Sequence, residues 1–260
     1  MKKIVFITFI AFISFSVNSQ NEKILIKYTE IISLGAPGVN LKSYNSALFI
    51  TPNFSLYVSK IDSLENGGKT IQKTYKDKNG KLFGVRDFST KDGLYQITNR
   101  INDSIYSNSR FNNKFIYKEK NPGIEWQITS ETKKIEEINV QKATALFRGR
   151  FYTAWFAPEI PLALGPWKLN GLPGLIIEAF DSNNEVLFLF KKIEYPYRKE
   201  IKSPVLDRNW LSYADFIKEK ENHIQRNLKY SRAIGQHFDS ETSEAETSIL
   251  KNKNFIELTN

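Results

Sequence analysis

Between residues 54 and 194 the chain alternates apolar and polar side chains in short runs, and a turn dipeptide breaks most of them. "FSLYVSK" puts Phe54, Leu56 and Val58 on one face and Ser55, Tyr57 and Ser59 on the other. "GIEWQITS" sets Ile124, Trp126 and Ile128 against Glu125, Gln127 and Thr129. Successive side chains of a strand point to opposite faces, so this two-residue period is a strand signature. Asn79-Gly80 separates "TIQKTY" from "KLFGVRDF", Asp92-Gly93 separates that run from "LYQITNR", and Asn112-Asn113 lies between "SIYSNSRF" and "KFIYKEK". Arg148-Gly149-Arg150 splits "ATALF" from "FYTAWF", and Asp181 to Asn184 split "LIIEAF" from "EVLFLFKKIEY". Such dipeptides tolerate the positive φ of tight hairpin turns. The pattern predicts a mainly β, α+β fold: an antiparallel meander in a strongly curved or half-barrel sheet. More than seven strands would otherwise leave long open edges. A two-sheet β-sandwich is the alternative.

One helix is expected, at about 212–230, packed on a face of the sheet. Ser212 caps it, with Asp215 three residues on, and Phe216, Ile217, Ile224 and Leu228 recur at helical spacing. An acidic, polar loop follows at about 239–248, and "NFIELTN" reads as a short last strand. No linker or repeat divides residues 20–260, which read as a single domain.

Residues 1–19 read as a secretory signal peptide. Lys2 and Lys3 precede an uncharged, mostly apolar run from Ile4 to Val17, and small residues close it at Ser19. The chain is therefore expected to be exported to the periplasm, the outer-membrane periphery or the medium. No later run is long and apolar enough for a transmembrane helix. The chain has no cysteine, which removes disulfides, thiolate chemistry and acylation of a lipoprotein cysteine. The net charge of +9 falls to +7 without Lys2 and Lys3. The basic residues are scattered rather than blocked, so the charge reads as a solubility feature, and nucleic acid is not expected as a partner.

The stretch "GRFYTAWFAPEIPLALGPWKLNGLPGLIIEAFD" resembles the GLPGLI family, named for the hexapeptide at Gly171 to Ile176. "QKATALFRGR" at 141–150, Ala154-Trp155, Pro158-Glu159-Ile160-Pro161, Gly165-Pro166-Trp167 and the late "IEL" fit its pattern. The chain departs from it at Val140, where the family often has a cysteine, and at Phe255, where it often has a proline. The resemblance implies export from a Gram-negative cell. The family has no assigned reaction, so it supplies no catalytic residue.

The corner Gly171-Leu172-Pro173-Gly174 reads as a structural turn. Pro173 suits position i+1 of a type II turn, and Gly174 would supply the positive φ of position i+2. Gly171, lacking a Cβ, would let a neighbouring group approach closely. No phosphate loop, nucleophile elbow or zinc motif is present, and no cofactor or metal is expected. There are two histidines, His223 and His237, neither in a catalytic motif; His223 is expected on the outer face of the helix. The candidate functional carboxylates are Glu159, Glu178 and Asp181. By period two Glu178 shares a face with Ile176 and Phe180, where a raised pKa would suit a general acid; alternatively it meets solvent or pairs with Arg148 or Arg150. Trp126, Trp155, Trp167 and Trp210 would fill the core or form a platform for sugar or lipid. Two functions remain open: an exported, non-catalytic binding or cell-envelope protein, holding an apolar ligand or an envelope protein, and a carboxylate-based hydrolase.

Overall fold

The computed structural model describes residues 23–32, 42–65, 71–76, 82–87, 89–108, 115–201 and 208–235. The leader expected at 1–19, Asn79-Gly80, Asn112-Asn113, His237, the loop expected at 239–248 and the late "NFIELTN" lie outside these residues. The strands are β1 (Ile24–Ile32), β2 (Lys42–Ile50), β3 (Phe54–Ser59), β4 (Ile71–Lys76), β5 (Leu82–Asp87), β6 (Leu94–Asn99) and β7 (Ser104–Asn108). They continue with β8 (Ile116–Lys120), β9 (Gln127–Ile135), β10 (Ile138–Phe147), β11 (Arg150–Ala157), β12 (Leu175–Asp181), β13 (Val186–Glu194) and β14 (Leu211–Ser212), before helix α1 (Tyr213–Gly235).

Twelve strands form one unclosed sheet in the order β14-β8-β7-β6-β3-β2-β1-β13-β12-β11-β10-β9, and β4 and β5 form a separate two-stranded ladder. The sheet is two antiparallel meanders joined where β1 pairs with β13, so the first strand lies in the middle. Among the described strands of this sheet, the single exception to antiparallel pairing is β14, which runs parallel to β8. Three register shifts, at Lys27/Tyr28, Gln141/Ala143 and Trp155/Phe156, bend the strands that carry them.

The strand alternation fixes the faces, and long side chains show how far the sheet curls. Tyr57 on β3 and Phe188 on β13 are three strands apart, about 14 Å in a flat sheet. Their ring centroids are 6.2 Å apart. Tyr28 on β1 donates its buried hydroxyl to the carbonyl of Ile176 on β12 at 2.8 Å. These contacts span one side of the sheet, which is therefore concave, and the architecture is a half-barrel rather than a sandwich.

The main core lies on the concave face. Ile26, Leu48, Tyr152, Phe156, Ile177 and Phe188 pack there against Trp167, Leu169 and Leu172 from the 158–174 segment. A second cluster on the convex face gathers Leu25, Ala47, Leu56, Val58, Tyr95 and Ile97, with Tyr197, Ile201 and Trp210 packed on it. Helix α1 docks on the concave side at the β8 edge, where the Phe216 ring stacks on Tyr117 with centroids 4.2 Å apart. Ser212 Oγ accepts the Asp215 backbone N–H at 3.1 Å and bonds its carboxylate at 2.7 Å. His223 is half-buried rather than on an open outer face.

Two local expectations change. Asp92-Gly93 does not join β5 to β6 as a hairpin, because β5 pairs with β4 and β6 with β3. Gly93 does take positive φ, +63°, but closes a turn on the Thr90 side chain. The alternation at 123–130 is strand from Gln127 onward, not before it. Trp126 is drawn into a loop, its backbone N–H on the Ile124 carbonyl at 3.1 Å and its indole N–H on the Asn170 carbonyl at 2.8 Å.

Candidate functional site

The 158–174 segment is the chain's own filler for the apolar half of the concave face. Its corner is tighter than a type II turn: the Gly174 N–H bonds the Leu172 carbonyl at 2.8 Å, a three-residue turn centred on Pro173. The two glycines exchange the expected roles. Gly171 carries the positive φ, +91°, and a Cβ there would meet nothing within 4 Å. Gly174 has no left-handed φ, but a Cβ there would sit 2.2 Å from the Ala157 carbonyl oxygen. Leu172 is buried in the core, while Pro173 is exposed.

The three candidate carboxylates are dispersed. Glu159 is exposed on the segment. Glu178 points to the convex face, opposite Trp155, and its partner is Lys133 at 2.9 Å rather than Arg148 or Arg150. Lys133 Nζ also sits 4.3 Å from the Trp155 ring centroid. Asp181 lies on the opposite face of β12, 1 % exposed, 2.6 Å from Arg150. Its other oxygen accepts the backbone N–H groups of Glu185 and Val186 at 2.7 and 2.9 Å, closing the turn into β13. Burial works against the Arg150 charge, but hydrogen bonds to Glu185 and Asp181 outweigh it and hold its pKa above the ordinary value. Glu178 and Asp181 face opposite sides of one sheet, so they cannot act on one bond. Of the tryptophans, Trp126, Trp155 and Trp167 belong to or pack against the main cluster, and Trp210 packs on the second.

The side chains that do converge lie elsewhere on the concave face. Glu119 on β8 takes the Arg148 guanidinium from the β10–β11 turn, eight strands away across the sheet. It also takes Lys168 Nζ, at 2.5 Å, from the 158–174 segment. Lys168 is 1 % exposed, and its ammonium donates to the Tyr117 hydroxyl at 3.0 Å. It lies 5.5 Å from the Tyr213 ring centroid of α1, while Arg148 lies 4.2 Å from that ring. Arg148 and Gly149 take φ of 52° and 73°, the geometry of a two-residue type I′ hairpin turn, which aims Arg148 inward.

From this cluster a polar row crosses the sheet. Tyr57, Gln96, Ser107 and Tyr117 are successive register partners on β3, β6, β7 and β8. Tyr57 donates to the buried Glu30 carboxylate at 2.7 Å, so carboxylates bound the row at both ends. Ser46, Ser55 and Ser59 are buried on the same face. Gln96 Oε1 and Ser107 Oγ are buried without a hydrogen-bond partner among the described residues. The sequence signal for this lining was the alternation itself. In "LYQIT", Gln96 and Thr98 fall opposite Tyr95 and Ile97, where period two assigns solvent, but the curled sheet half-buries that side. Glu119 and Lys168 had no local signal, because Lys168 is charged within an otherwise apolar stretch and its partner lies 49 residues away. Among the described residues no three His, Cys, Asp or Glu side chains could hold a metal ion, and no helix is long and apolar enough to cross a membrane.

A family described as "Protein of unknown function (Porph_ging)" matches residues 148–178. That span runs from Arg148 through Lys168 and the Pro173 corner to Glu178. No curated protein matches the chain. Among solved structures, PNGF-II in two crystal forms aligns over 76 % of the chain at 17 % and 18 % identity, with TM-scores of 0.46 and 0.45. The chain spans about a third of the PNGF-II chains, 33 % and 34 % of their length. The LolA superfamily protein NE2245 from Nitrosomonas europaea aligns over 70 % of the chain and 88 % of its own, at 6 % identity and a TM-score of 0.28.

Proposed function

We propose that this chain is an exported, non-catalytic binding protein of the cell envelope, of the GLPGLI type, that holds a small molecule against its concave face. The observation that carries the reading is the division of that face. Its apolar half is filled by Ile160, Leu162, Leu164, Trp167, Leu169 and Leu172 of the chain itself. Its other half is lined by the small polar side chains Ser46, Ser55, Ser59 and Ser107. A few polar groups on an otherwise apolar face are what orients a bound small molecule. Export is supported by the leader-like residues 1–19. The hydrolase reading loses its support, since Glu178 and Asp181 face opposite sides and each holds its own cation. Native mass spectrometry of the chain purified from its own host tests the proposal. Retention of a small molecule at one equivalent per chain is expected. A ligand-free chain that hydrolyses an envelope substrate, with activity lost in Glu178→Gln, would overturn it.

A further inference from the structure

On the convex side of the β10–β13 meander an uncharged row crosses six strands. Thr144, Thr153, Phe180, Leu187, Ile31 and Ser43 are successive register partners on β10, β11, β12, β13, β1 and β2. Beside the row, on the same face, Leu146 and Phe151 pair across the β10–β11 ladder and are 67 % and 49 % exposed. Phe180, Leu187 and Ile31 are half-buried, and none of these five apolar side chains belongs to either core cluster. Further along the same face Tyr197, Ile201 and Trp210 cover the second cluster, but among the described residues that cover does not reach these five. On its other side the row is flanked by Lys142, Trp155, Glu178 and Leu189. Both charges there are already paired, Lys142 with Glu131 and Glu178 with Lys133. An exposed apolar patch inside a polar rim marks a contact surface.

We propose that this strip is where a second copy of the chain docks, in a reversible twofold dimer. It uses the face opposite to the binding reading above and stands independently of it. Charge, shape and area choose the occupant. With a net charge of +9 the chain repels its own copy in general, but the row sets no charge against a charge. An anionic lipid surface would be held by free lysines around the patch, whereas Lys133 and Lys142 are each held by a carboxylate. A twofold contact uses one patch on both copies, so the patch must carry both a projection and its seat. Leu146 and Phe151 are the projection. Phe180, Leu187 and Ile31 lie lower, one, two and three strands on from Phe151, and are the seat. About a twofold axis near Thr153, the projection of each copy rests on the seat of the other. The row and its two flanks, over five strand steps, cover roughly 24 by 20 Å, about 500 Å² on each copy and about 1,000 Å² in the pair. That is the low end for a specific contact, so the dimer exchanges with monomer.

Sedimentation velocity on the purified chain, from about 5 to about 300 µM, tests this. The sedimentation coefficient is expected to climb from monomer toward dimer, with a Kd of about 10–100 µM. Leu146→Lys and Phe151→Lys should each weaken association about tenfold or more. Both side chains are exposed, so their urea midpoints should stay near wild type, which separates a lost contact from a folding defect. Ile128→Lys is the matched control. Ile128 is 47 % exposed, but its register partner Ala143 places it on the opposite face, and association should be unchanged. A chain that stays monomeric at about 300 µM would overturn the proposal. So would a dimer that both Leu146→Lys and Phe151→Lys leave intact, or one that Ile128→Lys abolishes. A monomer that co-sediments with phosphatidylethanolamine–phosphatidylglycerol vesicles, and loses them in Phe151→Lys, would overturn it too and give the strip to a lipid surface.

Discussion

Arg150 shows what a single buried charge does in this chain. It is 3 % exposed and is shared by Asp181 and Glu185, each 2.6 Å away. Replacing it with methionine keeps much of the volume but leaves the buried Asp181 carboxylate without its cation, so Arg150→Met should cost about 3–5 kcal/mol in denaturant unfolding. Adding Asp181→Asn should recover part of that loss, since the stranded charge is gone. The two glycines of the corner separate by mechanism. Gly174→Ala places a methyl 2.2 Å from the Ala157 carbonyl and forces the backbone apart, an overpacking cost of about 1–3 kcal/mol or more. Gly171→Ala meets no neighbour and suffers only its φ of +91°, about 1–2 kcal/mol. Tyr28 carries a pH dependence. Burial raises its pKa above the usual phenol value. The native state therefore keeps a proton that the unfolded chain releases above about pH 10. This contribution is complete below pH 10 and is lost as pH rises beyond it, at about 1.4 kcal/mol per pH unit. Tyr28→Phe should flatten the alkaline limb of a stability-against-pH curve, and should cost about 1 kcal/mol at neutral pH for the lost bond to Ile176.

At the scale of elements, the sequence was legible wherever one face is apolar and the other is not. β3, β6, β10, β11, β12 and β13 fall on runs whose alternation announces them. β2 was not legible, because "KSYNSALFI" places serine on both faces, Ser43 toward solvent and Ser46 toward the interior. The face of Glu178 followed from counting by two from Ile176. What it meets there did not, because Lys133 comes from β9, three strands away across β11 and β10. Pairing between β1 and β13 is equally non-local, and nothing in either run specifies it. The polar row was hidden for another reason: a polar residue in an alternating strand signals solvent only if that face stays open. The sheet's edges are handled locally. β9 ends the sheet with Lys133, Lys134 and Glu131, charges that discourage further pairing, and β14 is two residues long. The start of α1 is held by the Ser212 cap. Ser212→Ala should cost about 1 kcal/mol and speed amide exchange in the first turns of α1, leaving exchange in β10–β13 unchanged.

At the scale of the molecule, the sheet is curled but not closed, and side chains complete what backbone pairing leaves open. In a flat sheet, the eight strand steps between Glu119 and the turn bearing Arg148 would span about 38 Å. Their ion pair brings the two meanders together, and Lys168 ties the 158–174 segment to the same carboxylate. Glu119 therefore acts as a clasp for three parts of the chain: strand β8, the β10–β11 turn and the filling segment. Its side chain is 6 % exposed, so solvent offers little screening. Glu119→Gln removes the charge that Arg148 and Lys168 share while keeping nearly the same shape, and should cost about 3–5 kcal/mol. The expected damage is directional. The meander of β10–β13 keeps its own ladder and apolar cluster, whereas β8 and α1 lose their tie to it. Hydrogen exchange should rise in β8, β14 and α1 and stay slow in β11 and β12, and small-angle scattering should report a larger radius of gyration. A variant that unfolds in one cooperative step, with uniform exchange and unchanged dimensions, would show that the curl is held by the concave core alone. Lys168→Met sharpens the distinction. It removes one of the two cations on Glu119 and leaves Arg148 in place, so it should loosen the 158–174 segment more than it releases β8.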